Sequence, residues 1–278
     1  MTLRAPAKLN LCLYLGPHRE DGLHELLSVF CPLTLADRLV VAEAEEDEVV
    51  CPDVDGSNLA AQALAALRAR GWNGPPARIE IEKRIPIAAG LGGGSADAAA
   101  VLRLAGAEIA DLPEIAAALG ADVPSQLDPA FALVGGAGEE VEALPAPDHF
   151  GVVLIPAPRG LATAEVYVEA DRLGLGRDAG ELDRLRAELR AATAGGESPL
   201  DYEALLVNDL ADAALSLRPA IGDALVALRE AGAAVALVAG SGPTAAGLFE
   251  DIAAADSAAG ALPPRYAGAI VAAPETSR

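Results

Sequence analysis

Apolar and polar side chains alternate along short segments of the chain, which is the pattern of a strand with one buried face. Residues 9–15 alternate apolar side chains with smaller or polar ones and predict a half-buried strand, and residues 78–82 alternate strictly. Residues 26–42 have room for two further strands around Pro32. The acidic run Glu43–Glu48 follows them and predicts a solvent-exposed hairpin tip.

Helical spacing of apolar residues, with Gly and Pro at the boundaries, predicts most of the other elements. One helix starts at Ser57 or Asn58, both capping residue types, and ends near Arg70. Further helices are predicted up to about 104, beyond 180, and near 113–119, 164–173, 201–216, 219–231 and 251–260. Further strands are predicted near 131–134, 151–155, 234–238, 245–249 and 267–272. Pro145–Asp148 is the best linker segment, so we predict an α+β chain with domains at 1–147 and 148–278.

The composition narrows the class of protein. The 278 residues carry 41 Asp and Glu against 20 Lys and Arg, giving a net charge of −21, and the only lysines are Lys8 and Lys83. This charge argues against general nucleic-acid binding and against docking on an anionic membrane, because both require a basic surface. The hydrophobic content of 52% excludes intrinsic disorder.

The three cysteines and the N-terminal residues indicate a cytoplasmic location. Cys12, Cys31 and Cys51 are odd in number and form no C-x-x-C pair, so we expect small buried hydrophobic side chains rather than a metal or redox site. Lys8 and Pro17 interrupt any signal-peptide-like apolar run, and no apolar stretch is long enough for a transmembrane helix.

The most informative segment is PIAAGLGGGSADAAA, residues 86–100. Four of the five residues from Gly90 to Gly94 are glycines, which allow positive φ and a close approach of the backbone to a ligand. The segment follows a predicted strand and opens a predicted helix, whose first amides are unpaired and lie at the positive end of the dipole. This combination predicts an anion site.

Two other phosphate-binding patterns do not fit the segment. A Walker A loop ends in G-K-[ST], and there is no lysine here. A dinucleotide-binding fingerprint counted from Gly90 and Gly92 would place Ser95 where the third glycine belongs. A purely structural glycine-rich turn is the remaining alternative.

Three segments together resemble the three motifs of the GHMP kinase superfamily, in the same order and at similar spacing. They are PAKLNL at 6–11, the glycine-rich segment at 86–100, and VAGSGPT at 238–244. With RxDGxHE at 19–25 and GADVP at 120–124, the chain is most similar to the 4-diphosphocytidyl-2-C-methyl-D-erythritol kinase family. The resemblance covers nearly the whole chain and is weakest between about 172 and 200.

This resemblance implies a fold, an activity and a set of partners. The fold would have a ribosomal-S5-like N-terminal domain and a ferredoxin-like C-terminal domain, with the active site in the cleft between them. The enzyme would move the γ-phosphoryl of ATP, with Mg²⁺, onto the 2-hydroxyl of the diphosphocytidyl alcohol, a step of the non-mevalonate route to isoprenoid precursors. Its partners would be small molecules, with neither nucleic acid nor membrane.

The resemblance also implies that Lys8 and Asp122 are the catalytic residues. Lys8 would neutralise charge that develops during phosphoryl transfer. Asp122 would either accept the proton of the substrate hydroxyl or orient that hydroxyl, and the sequence leaves both roles open. A surface lysine and a turn aspartate are the alternatives without a function.

Residues of the glycine-rich segment would bind the ATP phosphates, and two residues outside it would lie near adenine. Ser95 is also a candidate Mg²⁺ ligand, although its hydroxyl is equally suited to capping the helix. Asp97 is better explained as a carboxylate near a helix N-terminus than as a ligand. The predicted ATP-binding residues are Asn58, Lys83, Pro86, Ala89, Gly90, Leu91, Gly92, Gly93, Gly94, Ser95 and Ala96.

The predicted substrate site is built around a flat ring. His24 offers polar contacts to cytosine and Tyr167 a stacking face, although either could instead be a core residue. The family has an aromatic residue at the position of Leu23, and a leucine there loses ring stacking. The predicted substrate-binding residues are Asn10, Leu23, His24, Thr163, Tyr167, Gly240, Ser241 and Gly242.

Two alternatives compete with this interpretation. Another GHMP small-molecule kinase, of the homoserine or mevalonate type, would share the phosphate loop, but the RxDGxHE segment disfavours it. A non-catalytic nucleotide-binding relative is disfavoured because both Lys8 and Asp122 are present.

Overall fold

Two β-sheets, one in each half of the chain, organise the structure. The computed structural model describes residues 1–54 and 58–275. The strands are β1 (Thr2–His18), β2 (His24–Glu43), β3 (Glu48–Val50), β4 (Ala77–Glu82), β5 (Ala132–Gly135), β6 (Glu140–Ala143), β7 (Gly151–Ile155), β8 (Val235–Val238), β9 (Ala245–Phe249) and β10 (Ile270–Ala272).

The helices pack against these sheets. The α-helices are α1 (Leu59–Ala69), α2 (Gly93–Leu102), α3 (Leu112–Leu119), α4 (Val123–Leu127), α5 (Thr163–Leu173), α6 (Ala179–Ala192), α7 (Ala211–Leu217), α8 (Ala220–Glu230) and α9 (Ile252–Ala261). Short 3₁₀ helices span Arg103–Glu108, Pro199–Leu205 and Pro264–Tyr266. Within the described ranges, no helix is both long enough and apolar enough to cross a bilayer.

The first sheet is built on β2, which pairs with three other strands. Its order is β3-β4-β2-β5-β6, and β1 pairs with β2 in addition. The prediction of two strands around Pro32 is wrong, because one strand runs through that residue. Pro32 is paired with Lys8 next to an irregularity in the β1–β2 register, and a bulge is where a strand tolerates a residue without an amide hydrogen.

The second sheet confirms the predicted C-terminal fold. Its order is β10-β7-β9-β8, so the four strands counted along the chain lie in the order 4-1-3-2. Helices connect the first strand to the second and the third to the fourth. That βαββαβ arrangement is ferredoxin-like.

Strand β1 is buried on both faces rather than half-buried as predicted. Its register against β2 shifts between Asn10 and Cys12, and such a bulge exchanges the two faces of a strand. Leu9 and Leu11 therefore share a core cluster with residues of both sheets, whereas Leu13 packs among the C-terminal helices. The alternating pattern did not reveal that each face has a partner.

Two connections differ from the prediction. The acidic run Glu43–Glu48 is largely exposed as expected, but it forms no hairpin, because β3 pairs in parallel with β4 rather than with β2. The predicted helix 201–216 is interrupted between Leu205 and Ala211. There Val207 and Asp209 exchange backbone hydrogen bonds with Leu13 of β1, at 2.8 Å each. Strand β6 was not predicted.

A single core cluster extends across the predicted domain boundary. It joins buried residues of β1 and β2, such as Leu27, to Phe150 and Val152 on the other side of residue 147. The division at 147/148 stays a prediction.

Candidate active site

A cavity of about 800 Å³ opens between the two halves of the chain. Residues from the N-terminal strands, the glycine-rich segment, α5 and the loop after β8 line it. The structure thereby brings most of the predicted site residues together. Those lining the cavity are Lys8, Asn10, Leu23, His24, Asn58, Lys83, Pro86, Ala89, Gly90, Leu91, Gly92, Gly93, Gly94, Ser95, Asp122, Thr163, Tyr167, Gly240 and Ser241.

Two predicted residues, Ala96 and Gly242, do not line the cavity. Ala96 is buried, and its amide donates to the carbonyl of Gly92 at 2.9 Å. The amide of Gly242 donates to the carbonyl of Ala239 at 2.8 Å. Neither residue has a free amide for a ligand.

The glycine-rich segment ends in an uncapped helix N-terminus. Gly92 is the N-cap of α2 with φ of 69°, and no side chain among the described residues caps the helix. The amides of Gly93, Gly94 and Ser95 therefore have no intrahelical partner. Together with the helix dipole, they form a surface suited to an anion.

Two glycines of the segment stand where no side chain fits. A Cβ on Gly90, which has φ of +77°, would lie 2.1 Å from the carbonyl oxygen of Ala239 in the loop after β8. A Cβ on Gly92 would lie 2.9 Å from Cγ of Lys8. The glycines thus let this loop contact the C-terminal half on one side and the lysine on the other.

Lys8 is buried and its ammonium group is fixed by three contacts. Its Nζ donates to Oδ1 of Asn10 at 2.6 Å, lies 3.2 Å from Oδ2 of Asp122 and stands 4.5 Å from the ring centroid of Phe30. Its amide donates to the carbonyl of Leu91 at 3.0 Å, which ties β1 to the glycine-rich segment. An ammonium has three hydrogens. Asn10 and Asp122 take two of them, so one is left for a ligand in the cavity.

Asn10 holds Lys8 in place. Its Nδ2 donates to Oγ of Ser28 at 2.9 Å while its Oδ1 accepts from Lys8, and the side chain is buried. The hydroxyl of Ser28 in turn donates to the carbonyl of Cys12. The chain of bonds fixes which end of the amide faces the lysine.

Lys83 lies between two buried aspartates. Its Nζ contacts Asp37 and donates to Oδ2 of Asp97 at 2.8 Å. The other Asp37 oxygen accepts from the amides of Arg84 and Ile85. Asp97 therefore serves as an ion-pair partner within the cavity wall, rather than as a carboxylate interacting with a helix dipole as we expected.

Asn58 and Ser95 differ in how their side chains are used. Oδ1 of Asn58 accepts from the amide of Ala60 at 2.8 Å, so this residue caps α1 and lines the cavity as well. Ser95 does not cap α2, which excludes the alternative open at the sequence level. Its hydroxyl makes no hydrogen bond with another described residue, and it faces the cavity.

The predicted cytosine site is an aromatic corner. The rings of His24 and Tyr167 lie with centroids 5.5 Å apart, and Nδ1 of His24 faces the carbonyl of Gly16 at 3.1 Å. Burial, and secondarily the charge of Asp122, raise the pKa of Tyr167 to about 12, so its phenol is neutral. Leu23 is 53% exposed at the rim.

Relatives of known function match this chain along almost their whole length. Residues 58–136 match the family "GHMP kinases N terminal domain" and residues 200–268 match "GHMP kinases C terminal". The chain is 42% identical to the 4-diphosphocytidyl-2-C-methyl-D-erythritol kinase of Streptomyces coelicolor, over 94% of this chain and 92% of that one. The chain belongs to the 4-diphosphocytidyl-2-C-methyl-D-erythritol kinase family. It is 41% identical to the Thermobifida fusca member, over 94% of this chain and 91% of that one.

Solved structures agree with membership of this kinase family. The crystal structure of a 4-(cytidine 5'-diphospho)-2C-methyl-D-erythritol kinase superposes with a TM-score of 0.80 at 36% identity and covers 100% of both chains. A homoserine kinase from Cytophaga hutchinsonii superposes with a TM-score of 0.70 at 18% identity and shows the shared fold alone. The chain is thus an ATP-dependent small-molecule kinase of the GHMP type.

The kinase site also uses a residue that the sequence analysis missed. Asn208 donates from Nδ2 to the carbonyls of Val238 and Gly240, at 2.7 Å each, and so holds the third motif against β1. We had placed Asn208 inside a helix. The Asn208-Asp209 pair is itself a turn-forming signal, and it was the available clue.

Proposed function

We propose that this enzyme transfers the γ-phosphoryl group of ATP to the 2-hydroxyl of 4-diphosphocytidyl-2-C-methyl-D-erythritol. The observation that supports this most directly is the Lys8–Asp122 pair, which lines the same cavity as the uncapped helix N-terminus and the His24–Tyr167 corner. One cavity thus offers an anion site, an acid–base pair and a place for a flat base. The named activity of the relatives in this family needs all three.

The phosphates of ATP bind to backbone amides in this proposal. The amides of Gly93, Gly94 and Ser95 donate hydrogen bonds to phosphate oxygens. Gly90 and Gly92 have no side chain, so the backbone can approach the ligand closely. Lys8 directs its remaining hydrogen at the transferring group and stabilises the charge that builds up there. Its own orientation is set by Asn10 and not by the ligand.

Asp122 accepts the proton of the acceptor hydroxyl. Its Oδ2 faces Lys8, and its side chain is about one-third exposed to the cavity. The carboxylate therefore has an oxygen for a substrate hydroxyl while the lysine fixes its position. Phosphoryl transfer depends mainly on such positioning, because the protein forms no covalent bond during the reaction.

The two bases of the substrates occupy different parts of the cavity wall. Cytosine lies at His24 and Tyr167, where Thr163 and Ser241 are joined by a 2.9 Å hydrogen bond between their hydroxyls. Adenine lies near Asn58 and Lys83. Because the charge of Lys83 is already matched by two aspartates, it contributes shape and packing there more than a free cation.

Mg²⁺ fits the phosphate end of the site. It prefers oxygen ligands and retains waters, so it binds phosphates with only one or two protein groups. The unengaged hydroxyl of Ser95, at the helix N-terminus, is the protein ligand we propose. Bound there, the ion would neutralise charge on the phosphates.

The test replaces Asp122 with Asn and measures turnover with a panel of acceptors. We expect Asp122→Asn to lose about 10²- to 10⁴-fold in kcat with little change in ATP binding. The matched control is Asp128→Asn, at the other end of the same helix α4 and outside the cavity lining, which should behave as wild type.

The panel consists of the diphosphocytidyl alcohol, homoserine, mevalonate and a blank without acceptor. Turnover only with the first supports the proposal. Preference for homoserine or mevalonate would assign the enzyme to another GHMP activity. Equal ATP hydrolysis with every acceptor and with the blank would mean that the enzyme transfers the phosphoryl group to none of these acceptors.

A further inference from the structure

Three side chains beside the cytosine corner converge on one point. Nε2 of His18 and Nε2 of His24 lie 3.1 Å and 2.9 Å from the same oxygen, Oδ1 of Asp171. The three ligand-type atoms all lie within 4.8 Å of one another. All three residues line the cavity, and the side chains of His18 and Asp171 are exposed while Nε2 of His24 is buried.

In its neutral form, His24 directs a lone pair of Nε2 at this point. Its Nδ1 faces the Gly16 carbonyl at 3.1 Å, and a carbonyl only accepts hydrogen bonds, so Nδ1 carries the hydrogen. In the neutral ring, Nε2 is then an acceptor facing a carboxylate oxygen, which is repulsive. Histidines that bind metals have this arrangement, with the second ring nitrogen donating to a backbone carbonyl.

The surroundings of His24 require a positive charge between its Nε2 and Asp171, supplied either by a proton or by a cation. The side chain is only 7% exposed, and its buried Nε2 has a favourable contact with Oδ1 of Asp171, at 2.9 Å, only when a proton or a cation lies between them. An unpartnered nitrogen in such a position is costly unless a cation or proton satisfies it. Asp171 and His18 are exposed at 41% and 59%, so they can adjust to an incoming ion.

The distances suit a first-row divalent ion. Zinc binds histidine nitrogen and carboxylate oxygen at about 2.0–2.2 Å, so neighbouring ligand atoms in a tetrahedron are roughly 3.3 Å apart. The distances of 2.9 and 3.1 Å from Asp171 are close to that spacing, and the two imidazole rings, whose centroids lie 3.9 Å apart, would separate as the exposed His18 turns toward the ion. Two imidazoles and one carboxylate form a ligand set typical of zinc with one open position.

We propose that His18, His24 and Asp171 form a binding site for a divalent ion of the zinc class. The ion takes the place of any proton between His18 and Asp171, and that proton is released to solvent. This site lies apart from the phosphate end, where Mg²⁺ would bind through oxygen ligands.

Binding has a consequence for the kinase, and this part rests on the proposed function. His24 cannot contact cytosine through Nε2 while that atom binds an ion. Zinc should therefore compete with the diphosphocytidyl alcohol and leave ATP binding unaffected. The site would make the enzyme sensitive to free zinc at its acceptor pocket.

Direct metal binding tests the site without any turnover. Chelator-treated protein is titrated with Zn²⁺ by calorimetry and with Co²⁺ by visible absorption, where tetrahedral coordination gives intense d–d bands. We expect one ion per chain. His18→Gln and Asp171→Asn should each weaken binding by at least about tenfold, since even outer partners of a metal site are worth 10- to 100-fold.

The chain has a matched control, because it contains only three histidines. His149→Gln removes the histidine that lies outside the cluster and should leave the titration unchanged. A chain that binds no ion, or variants of His18 and Asp171 that bind as tightly as wild type, would overturn the proposal. Both changes are at exposed side chains, and a thermal melt confirms that each variant is folded.

Kinetics then separates the site from the proposed function. Zinc that raises the KM for the diphosphocytidyl alcohol without lowering kcat, in wild type but not in His18→Gln, supports both. Binding without competition would retain the metal site and overturn its placement at the acceptor pocket. A panel result that favours another acceptor would refute the proposed function and leave the titration valid.

Discussion

Asp97 is a buried carboxylate that lies beside a lysine and a second carboxylate. It shares Lys83 with Asp37, so one ammonium faces two carboxylates in the cavity wall. Burial raises the pKa of Asp97 to about 7, although the lysine acts in the opposite direction. Its second oxygen, Oδ1, is buried without a hydrogen-bond partner among the described residues, consistent with a group that is easily protonated.

This pKa predicts a pH-dependent stability. A carboxyl with a folded pKa above its unfolded value contributes stability at low pH, which is lost as the pH rises through the folded pKa. Between about pH 5 and pH 8 the wild type should lose roughly 2–3 kcal/mol that Asp97→Asn does not lose, at 1.36 kcal/mol per pKa unit. Denaturant unfolding at both pH values measures the difference.

The control for this prediction is Asp256→Asn, an exposed aspartate in helix α9. It should track the wild type at both pH values. Parallel curves for wild type and Asp97→Asn would show that Asp97 does not titrate in this range.

Leu23 sits at the rim of the cytosine corner as an exposed apolar side chain. Replacing it with Tyr adds a stacking face, worth about 0.5–1.5 kcal/mol. We therefore expect Leu23→Tyr to lower the KM for the diphosphocytidyl alcohol by roughly two- to tenfold, with kcat nearly unchanged. Steady-state kinetics at saturating ATP measures this.

Val141→Tyr serves as the comparison, because Val141 is similarly exposed but lies outside the cavity lining. It should leave the KM as it was. A raised or constant KM in Leu23→Tyr would contradict the stacking account.

Motif residues were predictable because a ligand fixes their type and spacing. Lys8 and Gly90 could be assigned from their motifs, and both line the cavity. The roles of Ser28 and Asn208 were missed, because both act only through hydrogen bonds to other protein groups. Such partners are determined by the folded geometry and have no spacing rule along the sequence.

At the scale of elements, the glycine-rich loop joins the two halves of the chain. A Cβ on Gly90 would lie 2.1 Å from the carbonyl oxygen of Ala239, and a Cβ on Gly240 would lie 2.9 Å from the carbonyl oxygen of Gly90. Both loops therefore have to be in place for the phosphate site to form.

Gly90→Ala should show this dependence. The left-handed φ alone costs about 1–2 kcal/mol, and the added Cβ would also force two backbones apart, costing roughly 1–3 kcal/mol more. We expect a lower melting temperature and a raised KM for ATP. Thermal unfolding and ATP saturation curves provide the two measurements.

Gly71→Ala isolates the backbone φ part of this effect from the steric part. Gly71 has φ of +87° and nothing within 4 Å of an added Cβ. Gly71→Ala should lose only the stability that the left-handed φ costs, about 1–2 kcal/mol, and its KM for ATP should not change. Equal losses in the two variants would mean that the contact with Ala239 is unimportant.

Local patterns determined the elements that do not depend on distant partners. Helix α1 and strand β4 lie within a residue or two of their predicted bounds. The unbroken β2 and the interruption before Ala211 were missed, since both result from pairing with β1. Periodicity describes one segment at a time and contains no information about such pairing.

For the whole molecule, the charge of −21 is distributed unevenly. Both lysines line the cavity, together with three aspartates, Asp97, Asp122 and Asp171. The acidic surplus therefore belongs almost entirely to the exterior. That the cleft is the least negative part of the surface stays a prediction.

An acidic exterior should repel both polyanionic substrates at long range. Salt screens charges separated by more than about 8–10 Å at physiological ionic strength. We expect the KM for the diphosphocytidyl alcohol to fall about twofold or more between roughly 20 and 200 mM NaCl. Initial rates at fixed excess Mg²⁺ measure it.

Uncharged cytidine, used as a competitive inhibitor, provides the control. Its inhibition constant should be independent of salt, because it carries no charge to repel. A KM that rises with salt would mean that the cavity itself attracts the substrate electrostatically.

The resemblance to the GHMP kinases predicted the two-domain architecture. It did not predict that the two halves of the chain share one core cluster. Motifs mark the ligand site, while the large buried side chains between the sheets, such as Phe150 and Tyr14, belong to no motif.

The bonds between Leu13 and the segment at 207–209 constrain how the chain matures on a ribosome. The strand that is synthesised first obtains its last backbone partners from residues made almost 200 positions later. Until those residues emerge, the edge of β1 stays open and Leu13 lacks its helical neighbours. Because such distant pairing is slow to form, a nascent chain carries this unpaired apolar edge until the segment at 207–209 has been made.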